Sequence, residues 1–250
     1  MGNFTTLDKI KKQKKQRRAM NDKILLMLQL QNQLNNATNG EKWTEGITKN
    51  NKVINWRRCI YMECAEMIES FAWKHWKSIE KEPDWDNLQI EVVDVWHFIM
   101  SLAIEDYAKN FKGGVEDVAL YISELPALDT VIKEDVSFAA SDVVMDIVED
   151  IMRVSLNKES LDLATLLNDF FILVNHSGLN LESLYRLYVG KNILNQFRQD
   201  HGYKDGTYIK VWNGEEDNVV MKRIWEENGD ISPEVLYKEL TKAYLSLTKS

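Results

Sequence analysis

Apolar residues recur at helical spacing along most of the chain. Between residues 24 and 34, Ile and Leu side chains repeat at near-helical intervals, and the pattern stops at the turn signal Asn39-Gly40. This segment predicts a first core helix.

Two more helices are predicted in the next part of the chain, from about Asn55 to Trp73 and from about Asn87 to Tyr107. Pro83 stops the preceding structure, and Asp86, three residues before Gln89, supplies a capping-box-like start for the later helix. Because a short connection joins the two helices, they should lie antiparallel.

The remaining pattern predicts further helices. Two apolar triplets indicate helices whose order the sequence leaves open: Val143, Ile147 and Ile151, then Leu163, Leu167 and Phe171. Asn180 has the character of a cap for a helix that reaches about Gln199, and a turn-rich loop follows from Gly202 to Gly206. A last helix is predicted from about Pro233 to Leu247.

Composition agrees with an all-α helical bundle, because only three Pro and eleven Gly occur in 250 residues. Cys59 and Cys64 lie five apart, which fits neither a disulfide framework nor a CxxC metal motif, so reduced thiols are expected. No apolar run approaches the roughly 18 residues that a membrane span needs, and no signal peptide is evident. A cytoplasmic protein without a membrane partner is therefore expected.

Charge is unevenly distributed along the chain. The formal net charge of −8 argues against a protein that coats nucleic acid. Seven Lys and Arg residues nevertheless fall between residues 8 and 18. Residues 1–20 are interpreted as a solvated basic extension, with a polyanion-binding arm as the alternative, and residues 21–250 as one all-α domain.

The strongest chemical signal is two pairs of acidic residues, Glu63 with Glu66 and Glu91 with Asp94. A spacing of three places both carboxylates of a pair on one helical face. Such pairs also occur on ordinary solvated helices, so the spacing alone is weak evidence.

The surroundings of these acids favour a buried site. Apolar residues cover every side of the predicted helix between Leu88 and Ile104, which is typical of a buried helix. Glu91 and Asp94 should therefore project into protein, where a carboxylate takes up a proton or finds a cation. Four carboxylates from two antiparallel helices make an oxygen site suited to Mg²⁺, with Mn²⁺ as a substitute. The structural alternative is a buried acid network satisfied by distant Arg or Lys.

Three sequence blocks resemble one known family. They are Glu63-Cys64-Ala65-Glu66 with Trp73-Lys74-His75-Trp76-Lys77, then Glu91-x-x-Asp94-x-Trp96-His97-Phe98, and finally a C-terminal signature from Gly190-Lys191-Asn192 to Glu216-Asp217-Asn218. Together they resemble the dimeric dUTPases, which belong to the all-α nucleoside triphosphate pyrophosphatases that include MazG-type proteins.

The resemblance implies a homodimeric, Mg²⁺-dependent enzyme that converts dUTP, and also dUDP, to dUMP by attack on the β-phosphorus. Such an enzyme keeps uracil out of DNA and supplies dUMP for thymidylate synthesis. The family motif implies that the metal ligands are Glu63, Glu66, Glu91 and Asp94. Glu66 is then the residue that orients or deprotonates the attacking water.

The resemblance also implies contacts to the nucleoside. Gln31 and Asn35 match uracil-reading positions, and their spacing of four puts both amides on one helical face. Two exposed polar residues are the alternative. Trp73, His75 and Trp76 are candidates to wall the base and sugar, against the alternative that the Trp rings belong to the core.

Phosphate contacts are expected near the C-terminal signature. Lys191, Asn195 and Arg198 form one helical stripe of donors, and Lys204 and Lys210 follow in the loop. An ordinary solvated stripe is the alternative.

Several alternatives remain open at this point. Residues 105–177 match the family poorly and are interpreted as a mobile cap or a dimer surface. A related enzyme that hydrolyses another nucleotide, such as dCTP, shares the same metal motif. Asp94-x-x-His97 hints at a di-iron carboxylate bundle, which is disfavoured because Glu66 has no His three residues on. A non-catalytic interaction protein that retains the fold is the third alternative.

Overall fold

A computed structural model of the chain describes residues 6–77, 82–132, 136–229 and 231–247, with side chains from residue 17 onward. Within these residues, nine α-helices are joined by loops, short 3-10 turns and one small β-hairpin. The all-α prediction is confirmed. The chain divides into two compact units, residues 1–184 and residues 185–250.

The first unit is built from six complete helices: α1 (Thr6–Asn39), α2 (Trp56–Glu69), α3 (Trp85–Asn110), α4 (Val115–Ser123), α5 (Ser141–Leu156) and α6 (Leu163–His176). The next helix, α7 (Leu181–Asp200), begins in the first unit and continues in the second. The second unit also contains strands β1 (Val211–Trp212) and β2 (Glu215–Glu216), then α8 (Asp217–Asn228) and α9 (Pro233–Ser246).

The first helix ends where its turn signal predicts. α1 stops at Asn39, and Gly40 follows with a φ of 94°, in the left-handed region that glycine adopts without strain. The backbone of α1 is continuous from Thr6, so this helix crosses the predicted boundary at residue 20 without a break.

Side-chain caps fix the starts of α2 and α3. Asn55 accepts a hydrogen bond from the backbone N–H of Arg58, as expected of an N-cap. At α3 the cap is Asp84, which accepts from the N–H of Asn87, so the prediction of Asp86 as the cap is wrong. Asp86 instead lies in the first turn, where its charge complements the helix dipole.

Contacts at both ends show that α2 and α3 run antiparallel, as the short connection predicts. At the end of α2, the Ser70 carbonyl accepts from the N–H of Asp84, and the Ser70 hydroxyl accepts from the Asn87 amide. At the opposite end, the Trp56 ring stacks on Phe98 with 6.0 Å between centroids.

The third helix is the centre of the first unit. α3 packs against α1, α2, α4 and α6, which accounts for its nearly continuous apolar sequence. Trp96 is fully buried, with its ring stacked 4.8 Å from Phe170 and its N–H directed at the sulfur of Met27.

The helices between residues 105 and 177 contribute to this core. α5 packs against α2 and α6 through the fully buried residues Val144, Val148 and Ile151. The predicted helix is confirmed, but the predicted face is partly wrong because Val143 is exposed. The interpretation of residues 105–177 as a cap or dimer surface stays a prediction.

The second unit has its own core around Phe197 of α7. The rings of Trp212, Tyr237 and Tyr244 lie 5.3 to 5.8 Å from the Phe197 ring. The hairpin turns at Asn213-Gly214, where both residues have positive φ. No helix in the described part of the chain is long and apolar enough to cross a lipid bilayer.

Candidate active site

Three carboxylates from two helices converge in the first unit. Glu63 and Glu66 project from α2 and Glu91 projects from α3, and ligand oxygens of the three lie within 4.8 Å of one another. Asp94, one turn beyond Glu91, lies outside this group as the described side chains are placed. The packing of α2 against α3 therefore brings three of the four predicted ligands close enough together to hold one metal ion.

The expectation that the carboxylates are enclosed is wrong in part. Glu66 is exposed, and Glu63, Glu91 and Asp94 are half-buried. On α3 the half-buried positions Asn87, Glu91, Asp94 and Phe98 follow one another at spacings of four, three and four, which is a single helical stripe. From Ile90 to Glu105 all other residues of α3 are buried, and the acids of this stripe lie where solvent and a ligand can reach them.

The cysteines beside the acids are free thiols with raised pKa values. Burial raises the pKa of Cys64, and the charge of Glu63 raises it further. The pKa of Cys59 is raised for the same two reasons, in the same order. Protonated thiols are poor metal ligands, so the chemistry of the group belongs to its oxygens.

The predicted base-reading amides occupy the core face of α1. Gln31 and Asn35 are 3% and 4% exposed, so the alternative of two solvated side chains is wrong. The Gln31 amide donates to the Asn35 oxygen at 3.3 Å. Both amides also donate to the hydroxyl oxygen of Ser101 on α3, at 3.0 Å from Gln31 and 2.8 Å from Asn35.

The aromatic residues that follow α2 lie at the surface. Trp73 and Trp76 are 39% and 62% exposed, so the core alternative for these rings is wrong. Their rings meet edge to face at 5.4 Å, and His75 is exposed beside Trp76. Lys74 lies over the Trp73 ring and bonds Glu69, which holds part of this segment in place.

The predicted phosphate donors lie in the second unit, in two environments. Lys191 and Arg198 are buried, so the alternative of a solvated stripe is wrong for these two. Arg198 donates two hydrogen bonds to the fully buried carboxylate of Asp217, at 2.8 and 2.7 Å. Lys204 and Lys210 are exposed on the following loop.

Asp217 and Asn218 organise these buried donors. Asn218 accepts from both Lys191 and Arg198, and Arg198 also donates to the half-buried Asn195. The hydroxyl of Tyr208 donates to Asp217 at 2.7 Å. The pKa of Tyr208 is raised well above its ordinary value, first by burial and then by this bond to a carboxylate.

Comparison with known proteins decides the family. A model of the dUTPase family matches residues 23–203, well over half of the chain. The chain belongs to the all-α dimeric dUTPase family. It is accordingly a hydrolase that acts on dUTP, a dUTP diphosphatase. Among curated proteins, no sequence matches the chain.

The carboxylate group fits the divalent metal that the dUTPase family implies. It consists of oxygen donors alone, without His or Cys in the group that the described residues form. His97, which prompted the di-iron alternative, is buried and its Nδ1 bonds the carbonyl of Val93 on its own helix. A hard cation such as Mg²⁺ suits this donor set better than the nitrogen and sulfur chemistry of zinc.

Sequence reasoning gave no role to several residues that lie beside the predicted site residues. Ser101 stands in an otherwise apolar stretch of α3, and a polar residue there was a usable signal. Phe98 continues the stripe of Glu91 and Asp94 and stacks on Trp56. Arg198 pairs with Asp217, which lies 19 residues away in sequence, and no periodic pattern predicts this pair.

Proposed function

We propose that this dUTP diphosphatase uses Mg²⁺, held by Glu63, Glu66, Glu91 and Asp94, to cleave dUTP to dUMP and pyrophosphate. The proposal includes dUDP as a second substrate, with dUMP and phosphate as products. It rests on one observation, the convergence of three carboxylates from α2 and α3 within 4.8 Å. Like charges at this separation repel, and a divalent cation removes the repulsion.

The bound metal and the individual carboxylates have different roles in the proposed reaction. When bound, Mg²⁺ neutralises phosphate oxygens and lowers the pKa of a water molecule. Glu66 is the exposed member of the carboxylate group, so it is the one best placed to take a proton from an attacking water. The half-buried Glu63, Glu91 and Asp94 are then the fixed ligands.

The remaining predicted residues bind the nucleotide. Gln31 and Asn35 read the uracil edge, and the exposed Trp73, His75 and Trp76 cover the base and sugar. Five donors bind phosphate oxygens: Lys191, Asn195, Arg198, Lys204 and Lys210. Exposure of the two loop lysines and the donor character of the whole set support this assignment.

Metal removal and product analysis test the reaction. Chelation of divalent ions is expected to abolish dUTP turnover, and Mg²⁺ is expected to restore it, with dUMP and pyrophosphate as the separated products. In ¹⁸O-labelled water the label is expected in pyrophosphate, because attack falls on the β-phosphorus. Unchanged turnover in chelator, or formation of dUDP, would contradict the proposal.

A nucleotide panel separates this enzyme from its closest alternative. Turnover of dUTP in preference to dCTP, dTTP and UTP is expected under identical Mg²⁺ conditions. A preference for dCTP would reassign the substrate while leaving the metal chemistry in place.

The oligomeric state is a separate proposal that follows from the family. Sedimentation equilibrium is expected to give twice the chain mass of 29.2 kDa. A single-chain mass at micromolar concentration would contradict the homodimer. The cytoplasmic location, the role of residues 1–20 and the lack of a stable nucleic-acid partner stay predictions.

A further inference from the structure

Ser101 connects the two amides that we propose to read the base. Its side chain is fully buried on α3, and its hydroxyl donates to the carbonyl of His97 at 2.8 Å. A hydroxyl has only one hydrogen to donate, so the Ser101 oxygen faces the two amides purely as an acceptor.

An acceptor-only oxygen fixes how both amides are turned. Gln31 and Asn35 each point an NH₂ group at Ser101, and the Asn35 oxygen then faces the second N–H of Gln31. A rotation of either amide by 180° would bring its oxygen against the Ser101 oxygen and leave buried hydrogen bonds unmade. Ser101 of α3 therefore fixes the orientation of both amides, and with it the order of donors and acceptors on this face of α1.

Uracil and cytosine differ in the pattern that such amides would meet. Uracil carries a donor at N3 and an acceptor at O4, whereas cytosine carries an acceptor at N3 and a donor at N4. A side-chain amide that is free to turn can match either pattern, while an amide held in one orientation matches only one of them.

We propose that Ser101 is a positioning residue that makes this enzyme select uracil over cytosine by holding Gln31 and Asn35 in one orientation. The proposal rests on the proposed base-reading function of these two amides. It assigns to Ser101 no contact with the reacting atoms, so its loss should alter base selection much more than the rate of the chemical step.

The test compares kcat and KM for dUTP and dCTP in the wild type and two variants. Ser101→Ala is expected to lower the ratio of kcat/KM for dUTP to that for dCTP by about tenfold or more, because one mispaired buried hydrogen bond costs about that factor. The kcat for dUTP should stay within about threefold, with the change appearing in KM for both nucleotides.

Ser155→Ala is the matched control. Ser155 is also fully buried in a helix and bonds a carbonyl of its own helix, that of Met152, but neither Gln31 nor Asn35 donates to it in the described hydrogen bonds. Its selectivity ratio is expected to equal that of the wild type. Ser101→Thr, which retains the hydroxyl, is expected to keep the wild-type ratio as well.

Side-chain amide NMR gives a readout that is independent of turnover. The NH₂ signals of Gln31 and Asn35 are expected to shift and exchange faster with solvent in Ser101→Ala, and to stay unchanged in Ser155→Ala. If Ser101→Ala does not fold, Ser101→Cys removes the strong acceptor at similar volume and is expected to give the same loss of selectivity.

Two failures are distinguishable. A selective wild type with an unchanged ratio in Ser101→Ala would overturn the role of Ser101 alone. A wild type that turns over dUTP and dCTP equally well would overturn the base-reading function of the amides, and the role of Ser101 with it.

Discussion

Replacing Glu66 by Gln is expected to lower the kcat for dUTP by about 10²- to 10⁴-fold, the usual contribution of a general base. Glutamine keeps the size of the side chain but cannot take a proton from water. Because Glu66 is exposed, the change removes no buried contact, and it relieves repulsion from Glu63 and Glu91. The metal-free protein should therefore unfold within about 2 °C of the wild type.

Steady-state turnover at saturating Mg²⁺, together with calorimetric titration of Mg²⁺, separates two roles of this residue. Recovery of full turnover at high Mg²⁺ would make Glu66 a ligand only, and wild-type turnover at every Mg²⁺ concentration would remove it from the mechanism. Glu149→Gln is the control, since Glu149 is an exposed glutamate on α5 outside the carboxylate group. Its turnover should match the wild type.

Helical periodicity correctly predicts that α3 is a buried helix. The same pattern led to the wrong expectation that its acidic residues are enclosed. The apolar residues from Leu88 to Ile104 correctly indicate a buried helix. The inference that Glu91 and Asp94 are enclosed fails because they lie with Asn87 and Phe98 on a half-buried stripe of the helix. A helix can be buried on most of its surface and still present one row of side chains to a ligand.

The local sequence pattern indicates the wrong N-cap where two acidic residues lie close together. Asp84 and Asp86 both stand at the start of α3, and the sequence favours Asp86 because of its spacing to Gln89. Which residue caps the helix depends on where the backbone leaves helical geometry, and here that is Asp84. In α5 the predicted buried face is displaced by one residue, because Val144 is buried where Val143 was expected to be.

The sequence also contains a strong hairpin signal that the predicted elements leave out. Asn213-Gly214 is a turn pair that favours a two-residue hairpin, and the structure has β1 and β2 on either side of it. Strands of two residues are too short to show alternation. The α8 helix that follows was not predicted either, although Val220, Met221, Ile224 and Trp225 recur at helical spacing.

Partners distant in sequence could not be predicted from pattern at all. Gln31 and Ser101 are 70 residues apart, and only the packing of α1 against α3 brings them together. A family resemblance indicates Gln31 and Asn35 as candidate base-reading residues. Only the folded structure shows that both amides donate to Ser101. The same holds for the acid that receives Arg198, which the sequence shows only as one carboxylate among many.

That acid carries the second large expected effect. Asp217→Asn is expected to cost about 3–5 kcal/mol, because it leaves the buried Arg198 guanidinium without its charged partner. The substitution preserves shape, but the new amide can offer only one acceptor oxygen where Arg198 and Tyr208 together use both carboxylate oxygens. Hydrogen exchange in peptides from residues 190–228 should speed up by about two orders of magnitude or more, if the second unit opens as one cooperative element.

Glu215→Gln is the matched control for this loss. Glu215 lies two residues earlier and pairs with Arg223 at 2.9 Å, but both side chains are about half exposed. An exposed pair contributes about 0–1 kcal/mol, so this variant should exchange almost as slowly as the wild type. Equal exchange in Asp217→Asn and Glu215→Gln would show that the buried pair contributes no more than a surface one. In that case Arg198 could exchange Asp217 for a phosphate group with little loss of stability.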